Sequence, residues 1–242
     1  KARSLWFQLL QVRSETGEPY LVNIDNCNEA MPEEQKKLGL RINQSNLCSE
    51  ITLPTDEERT AVCCLSSVNL EYFDEWKDHP LFIKDIVTML DNVLETFIDN
   101  VANLKGVNNK IESYTEFLDY VKVDKEGYAK AAYSAYRERA VGLGAMGFHS
   151  FLQRNSISFE GIYATSFNNR CFKYIKEQAD ETSRTLASVR GEAPDMDGSG
   201  RRNACLLAVA PNASSSIICG GTSPSIEPIR ANIYTHKTLT GS

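Results

Sequence analysis

Polar side chains recur at every second position in the segment 45–51, Ser-Asn-Leu-Cys-Ser-Glu-Ile. If this segment is extended, Asn46, Cys48 and Glu50 point to the same side, with neighbours roughly 6.5–7 Å apart. A thiol flanked by a hydrogen-bonding amide and a potential base suits redox or radical chemistry on a hydroxylated substrate. On spacing alone, the pattern also fits polar residues on an exposed strand face.

Two adjacent cysteines, Cys63 and Cys64, follow among the apolar neighbours of the segment 61–65. Such a segment is typical of a buried strand, in which neighbouring side chains face opposite sides. One thiol could then face the same cavity as Cys48, while the other packs in the core.

A run of small hydroxyl residues at 211–216, Pro-Asn-Ala-Ser-Ser-Ser, comes directly after an apolar run at 204–210. The apolar run predicts a strand buried on both faces, and α/β folds bind ligands at the carboxyl ends of their strands. Hydroxyl groups and free backbone amides hold phosphate without much positive charge, particularly where a helix begins. A plain serine-rich turn fits the local sequence equally well.

The composition argues against several kinds of partner. The net charge is -6 and the pI about 5.2, so a sequence-independent grip on nucleic acid is not expected. No stretch approaches the ~20 apolar residues of a membrane span. The seven cysteines are too sparse for a disulfide scaffold and lack CxxC spacing, which favours a cytoplasmic protein with reduced thiols. The histidines at 79, 149 and 236 show no metal-ligand spacing with cysteine.

The elements that must position these side chains alternate between helices and short strands. Apolar residues at three-and-four spacing from Ile83 to Val101 predict a core-facing helix. Strands alternating with long helices predict an α/β architecture with parallel pairing. Further helices are expected at 4–12, 128–139 and about 160–189, extended segments at 20–24, 46–51 and 61–70, and irregular chain at 25–45.

The run 141–147, Val-Gly-Leu-Gly-Ala-Met-Gly, satisfies G-x-G-x-x-G, so an NAD(P)-binding oxidoreductase is one alternative. That fingerprint requires a preceding apolar strand and an acidic residue about 20 positions on, whereas the preceding residues 136–140 are charged. Close packing at a barrel strand is the favoured role of these glycines. A non-catalytic remnant or scaffold is a second alternative.

In this order, the segments 45–51, 61–66, 141–144 and 211–216, with 225–235 after them, resemble the large, catalytic subunit of class I ribonucleotide reductases of phage or bacterial type. The resemblance implies an α/β barrel of two half-barrels of parallel strands, with outer helices and a central finger loop. It implies that residues 1–242 form part of the catalytic barrel domain, without the N-terminal allosteric, ATP-binding region, the first half-barrel and the C-terminal tail.

The same resemblance implies a role for each candidate side chain. Cys48 would carry the thiyl radical that abstracts the 3′-hydrogen of the ribose. Glu50 would be the base for the 3′-hydroxyl, and Asn46 would hydrogen-bond the substrate. Cys63 would be one half of the redox-active dithiol that reduces the 2′-carbon, and Cys64 would pack in the core.

The implied substrate is a ribonucleoside diphosphate, reduced to a deoxyribonucleotide for DNA synthesis. The chain itself would bind no cofactor, because a metal-containing small subunit supplies the radical and thioredoxin or glutaredoxin supplies the dithiol. The other implied partners are the remaining segments of the large subunit, without which turnover is not expected, and a second large subunit in a homodimer. Backbone and hydroxyl groups would hold the substrate diphosphate at Asn212, Ala213, Ser214 and Ser215.

Overall fold

A computed structural model describes residues 1–105, 107, 110–122, 126–233 and 235. Of the positions singled out in the sequence, Tyr234 and His236 lie outside the described residues. Within those ranges, none of the helices combines the length and the apolarity needed to cross a bilayer.

Most of the described chain is helical, and the helices enclose a small parallel sheet. The helices predicted near 4–12, 83–101, 128–139 and 160–189 are all confirmed, as α1, α5, α7 and α9. The helices are α1 Ala2–Thr16, α2 Ile24–Ala30, α3 Glu33–Lys37, α4 Phe73–Trp76, α5 Phe82–Val101, α6 Tyr114–Leu118, α7 Glu126–Glu138, α8 Phe148–Arg154, α9 Ile162–Arg190 and α10 Ala213–Ile218; the strands are β1 Cys64–Asn69 and β2 Val141–Met146; short 3-10 helices span Leu70–Tyr72 and Pro194–Met196.

Strands β1 and β2 pair in parallel, with Cys64 opposite Val141. The predicted strand at 204–210 is an extended segment along the other edge of β2. There the N–H of Leu143 donates to the carbonyl of Leu206 (2.9 Å), and Leu143 forms an isolated parallel bridge with Leu207. Parallel strands that alternate with helices along the chain confirm the α/β class.

The core lies between this sheet and the long helices. Helix α5 packs against α7, α9 and both strands, and it buries the stripe of residues that its periodicity predicted. Every residue of β2 is buried, which explains its near-continuous apolar sequence. In contrast, α1 buries no residue.

Three extended or irregular predictions are wrong. Residues 20–24 form no strand, and Ile24 instead begins α2. The stretch 25–45, predicted to be irregular, contains α2 and α3. The segment 46–51 is a turn, in which the side chain of Asn46 accepts a hydrogen bond from the N–H of Ile51.

Candidate functional site

The segment 45–51 is a turn closed by the side chain of Asn46. The N–H of Ile51 donates to Asn46 Oδ1 (3.0 Å), while the Asn46 N–H donates to the Ile51 carbonyl (3.2 Å). Ser49, whose N–H donates to the Asn46 carbonyl (3.1 Å), has a φ of 65°. The prediction of an extended strand is wrong because an asparagine amide can take the place of a backbone acceptor and favour a turn.

Cys48 lies at the exposed tip of this turn, beside Leu47, whose side chain is 93% exposed. Within the described part of the chain, the Cys48 thiol makes no hydrogen bond. The alternation that would have aligned Asn46, Cys48 and Glu50 on one strand face is therefore absent. Their relation depends on the shape of the turn.

Asn46 and Cys63 line the same cavity, which has a volume of about 540 Å³. The cavity lies within the segment 43–63, immediately before β1. Its size falls within the range of small-molecule sites. The other lining residues are Asn43, Gln44, Ser45, Ile51, Leu53, Thr55, Asp56, Arg59, Thr60 and Ala61.

Glu50 is half-buried, and its carboxylate lies close to Cys63, one of the residues that line this cavity. Its Oε2 atom is buried and has no hydrogen-bond partner in the described ranges. The Glu50 charge is also close enough to Cys63 to contribute to the raised pKa of that thiol. Because a buried polar atom without a partner is costly, an unpaired oxygen here indicates a place for a donor such as a hydroxyl group.

The thiol of Cys63 lies over β2. Its Sγ atom is 3.0 Å from the position that a Cβ atom would take on Gly142. Burial raises the pKa of Cys63 to about 12, and the nearby charges act in the same direction, so the group is an uncharged thiol at neutral pH. Those charges belong, in decreasing order of effect, to Cys205, Cys64, Glu138 and Glu50.

The glycines of the 141–147 run provide space for neighbouring strands. A Cβ atom on Gly144 would lie 2.2 Å from the carbonyl oxygen of Ala208. Gly142 and Gly144 lie inside β2, and only Gly147 occupies the turn before α8. In a dinucleotide fingerprint the first glycines form the turn after the strand, so the geometry disfavours the NAD(P) alternative.

The serine-rich segment 211–216 contains the start of α10, at Ala213. Asn212 is fixed just before the helix, because its N–H donates to the Pro224 carbonyl (3.0 Å) and its Nδ2 to the Ala210 carbonyl (2.7 Å). Within the described chain, the backbone N–H groups of 213–215 have no acceptor. These groups and the exposed serine hydroxyls can donate to an anion.

The structure thus brings three of the four predicted catalytic residues together, namely Asn46, Glu50 and Cys63. The segment 204–210, which leads into the serine-rich turn, passes close to this cluster. The Cβ atom of Ala208 and the Sγ atom of Cys63 approach the same point over Gly142. Cys48 does not line the cavity. Leu65, which lies against Gly142, is 42% exposed, so the sheet is partly open at this point.

Three residues close to the site were not singled out in the sequence. Arg59 lines the cavity and donates two hydrogen bonds to the buried Asp195 (2.6 and 3.1 Å). Cys205 and Glu138 lie near enough to Cys63 to affect its pKa. Only Cys205 had a local signal, as a thiol in the apolar run that pairs with β2. Among the described residues, no group of three or more His, Cys, Asp or Glu side chains is arranged to hold a metal ion.

Comparison with known proteins identifies the family of this chain. The family model "Ribonucleotide reductase, barrel domain" matches residues 1–200 and 195–242. The chain is 48% identical to the ribonucleoside-diphosphate reductase large subunit of Invertebrate iridescent virus 3 and 47% identical to a putative large subunit of Frog virus 3 (isolate Goorha). All of the chain is covered in both matches, but it spans only 35% and 39% of those relatives.

A solved structure shows the same fold. The alpha subunit of the Actinobacillus ureae class Id ribonucleotide reductase superposes with a TM-score of 0.80 and 41% sequence identity. The match covers 95% of this chain and 40% of that subunit. The chain therefore belongs to the ribonucleotide reductase barrel-domain family.

Proposed function

We propose that this chain supplies part of the catalytic barrel of a ribonucleoside-diphosphate reductase large subunit. The observation that carries the proposal is the unpaired, buried Oε2 of Glu50 beside a cavity that Asn46 and Cys63 line. A ribose offers adjacent hydroxyl groups that would satisfy this oxygen and the amide of Asn46. The Asn46 Nδ2 makes no hydrogen bond with the described residues and is available for this purpose.

In this proposal, Cys48 carries the thiyl radical and removes the 3′-hydrogen of the ribose. Glu50 accepts the proton of the 3′-hydroxyl, and Asn46 hydrogen-bonds the sugar. The turn that holds Cys48 is closed by Asn46 itself. The amide that contacts the sugar thus also fixes the radical-bearing loop.

Cys63 acts as one of two thiols that become a disulfide while the 2′-hydroxyl leaves as water. Burial raises the pKa of Cys63 to about 12. The group therefore remains a thiol at neutral pH, the form that can give up hydrogen to the substrate. The second thiol of the pair belongs to another segment of the large subunit.

The substrate diphosphate is proposed to bind at the start of α10. Backbone N–H groups of Ala213, Ser214 and Ser215 point out of the first helical turn, and Asn212 fixes that turn to the chain at Pro224. Such amides bind phosphate oxygens without a local excess of cations, in agreement with the acidic composition of the chain.

The proposed enzyme works in the cytoplasm with the remaining segments of the large subunit, as a dimer of such subunits. A small subunit with a metal-based radical generator starts each turnover, and thioredoxin or glutaredoxin restores the dithiol. The metal site of that partner lies outside this chain. Effector nucleotides such as ATP are expected to bind other segments.

A chimera tests the function directly. The corresponding segment of the Actinobacillus ureae alpha subunit, to which this chain is 41% identical, is replaced by this chain and assayed with a radical-generating subunit and a dithiol. We expect formation of deoxyribonucleoside diphosphate, and its complete loss in Cys48→Ser and in Cys63→Ser. The matched control Cys27→Ser, on α2 away from the cavity, should retain activity. Activity in the Cys48→Ser chimera would refute the radical role and favour a non-catalytic remnant that the host enzyme tolerates.

The diphosphate site is tested separately in the same chimera. Ser214→Asp places a negative charge at the first turn of α10, where the helix dipole accommodates it but a diphosphate is repelled. We expect KM for the substrate to rise by about tenfold or more, whereas the neutral Ser214→Asn should change it little. Equal KM values for the two variants would exclude this turn as the diphosphate site.

A further inference from the structure

Glu138 is a fully buried carboxyl group that the proposed mechanism does not use. It is the last residue of α7 and is 0% exposed. Its Oε2 atom accepts one hydrogen bond, from Nε2 of Gln35 at 3.1 Å. Its Oε1 atom is buried and has no hydrogen-bond partner in the described part of the chain. An ionised carboxylate so placed lacks the donors that burial normally requires.

The backbone places this carboxyl group between two cysteine-bearing segments. Residues 138–141 run with 63–64 on one side and 204–205 on the other. On the first side, the N–H of Cys64 donates to the carbonyl of Ala140 (3.4 Å). On the second side, the N–H at 204 donates to the carbonyl at 138 (2.9 Å). Cys63 and Cys205 therefore flank the segment that begins with Glu138.

The ionisation of these groups is coupled. The pKa of Glu138 is raised to about 8, mainly by burial and also by the charge of Asp195, while Arg59 and the Gln35 hydrogen bond oppose the rise. In turn, a charge on Glu138 adds to the effect of burial in raising the pKa of Cys63 to about 12 and that of Cys205 to about 11. A negative charge on one of these groups thus opposes the ionisation of another.

No cation in the described chain is committed to Glu138 alone. Arg59 and Arg137 both donate to Asp195, at 2.6 and 2.8 Å, and so neutralise that carboxylate first. The titratable and charged groups that act on Glu138, Cys63 or Cys205 from the surrounding elements are Asp195, Arg59, Arg201, Cys64 and Glu50.

We propose that Glu138 is a positioning residue for the Cys63 thiol: its buried carboxyl group keeps a proton on the free Oε1 at neutral pH, and its ionisation suppresses that of Cys63. The neutral form leaves the neighbouring thiols free of an adjacent charge. The charged form, present in alkaline solution, makes a thiolate at Cys63 harder to form. The carboxyl group acts through the thiol and does not touch the substrate.

If the proposed function is correct, this arrangement controls the regeneration of the enzyme. Thiol–disulfide exchange with a dithiol releases Cys63 as a thiolate, which must then take up a proton. A protonated Glu138 imposes no charge repulsion on that thiolate, whereas an ionised one does. The use of Glu138 in turnover rests on the proposed reductase function, but the coupling of the two groups does not.

The coupling is measured on the 242-residue chain by the pH profile of Cys63 alkylation. The rate with iodoacetamide is followed from pH 6 to pH 10 by mass spectrometry of the peptide around Cys63, in a Cys64→Ser background that leaves one thiol in that peptide. We expect the rate to rise about tenfold per pH unit below pH 8, as for any thiolate reaction. Around pH 8 the slope should fall, because Glu138 becomes charged there.

The isosteric variant Glu138→Gln cannot acquire this charge. We expect its profile to keep the full slope throughout and its rate at pH 9 to exceed that of the parent by about threefold, which corresponds to half a pKa unit. Glu160→Gln, at an exposed position on the loop before α9, is the matched control and should follow the parent. Superposable profiles for the parent and Glu138→Gln would overturn the proposal.

A measurement on the unmodified chain covers the case in which Glu138→Gln does not fold. With ¹³C-labelled glutamate, NMR should detect one carboxyl group that titrates near pH 8, well above the others. Absence of any glutamate titration above pH 6 would also overturn the proposal. Neither readout requires reductase activity, so an inactive chimera and an uncoupled Glu138 are distinguishable results.

Discussion

The Sγ atom of Cys63 lies 3.0 Å from the point that a Cβ atom would occupy on Gly142, in the neighbouring strand. The side chains of Leu65 and Ala208 approach the same point to 2.5 and 2.9 Å. The two strands and the extended segment 204–210 therefore fit together here only because position 142 lacks a side chain. The orientation of the proposed redox thiol depends on that glycine.

Replacement of Gly142 by alanine is expected to lower the free energy of unfolding by about 1–3 kcal/mol, the usual cost of overpacking a core. Gly144→Ala should cost more, because the obstructing atom is the backbone carbonyl oxygen of Ala208 at 2.2 Å, which cannot move away by a side-chain rotation. Urea denaturation of the two variants provides the measurement.

Gly127→Ala is the matched control for these substitutions. Gly127 lies in α7, and within the described chain no atom outside its own helix and chain neighbours lies within 4 Å of its Cβ position. Because alanine is favoured over glycine in a helix, this variant should be as stable as the parent or slightly more so. If Gly142→Ala matched Gly127→Ala in stability, close strand packing would not be the reason for the glycine.

The sequence predicts the elements whose pattern is regular and local. The three-and-four spacing of α5 was sufficient to identify its buried face, and the glycines of β2 were correctly assigned to close packing. Each of these inferences needs only neighbours along the chain and the burial of one face. The helix start at Ala213, in contrast, was not predicted, because the local sequence fitted a plain turn equally well.

The errors occur where a side chain or a distant segment determines the backbone. An alternating pattern at 46–51 predicted a strand, but the amide of Asn46 closes the segment into a turn by accepting from Ile51. The surroundings of Glu138 depend on Gln35 and Asp195, which are far from it in sequence. No periodicity in one sequence predicts such contacts.

The ion cluster around Asp195 should be a major contributor to stability. This carboxylate is 0% exposed and accepts hydrogen bonds from Arg59 and from Nε of Arg137. Asp195→Asn leaves two buried guanidinium groups without a counter-charge, so we expect a loss of about 3–5 kcal/mol in the free energy of unfolding. The partly exposed pair of Asp180 with Arg201, 3.6 Å apart, provides the contrast, since Asp180→Asn should cost less than about 1 kcal/mol. Equal losses would show that burial of the pair is immaterial.

Glu138 should make the chain less stable as the pH rises. Its pKa in the folded chain is about 8 against an ordinary value of 4.5, so the folded state binds more protons than the unfolded state between these values. The free energy of unfolding therefore falls from pH 5 to pH 8, by about 1.4 kcal/mol for each unit of pKa difference at most. Relative to the parent, Glu138→Gln should gain stability over this interval in urea denaturation at the two pH values. A difference between the two chains that does not change with pH would contradict the buried, protonated state.

Asp91 should produce the opposite dependence, in acid. Burial alone would raise its pKa, but Arg139, Arg202 and Arg190 outweigh burial and hold the pKa below the ordinary value of 3.8. A carboxyl group with a lowered pKa contributes stability above its unfolded pKa and loses that contribution as the pH falls through its folded pKa. The stability difference between the parent and Asp91→Asn should therefore be largest above pH 4 and should shrink below it, as followed by urea denaturation from pH 7 to pH 2.5. A constant difference across this range would mean that Asp91 stabilises the fold by its shape and hydrogen bonds and not by its charge.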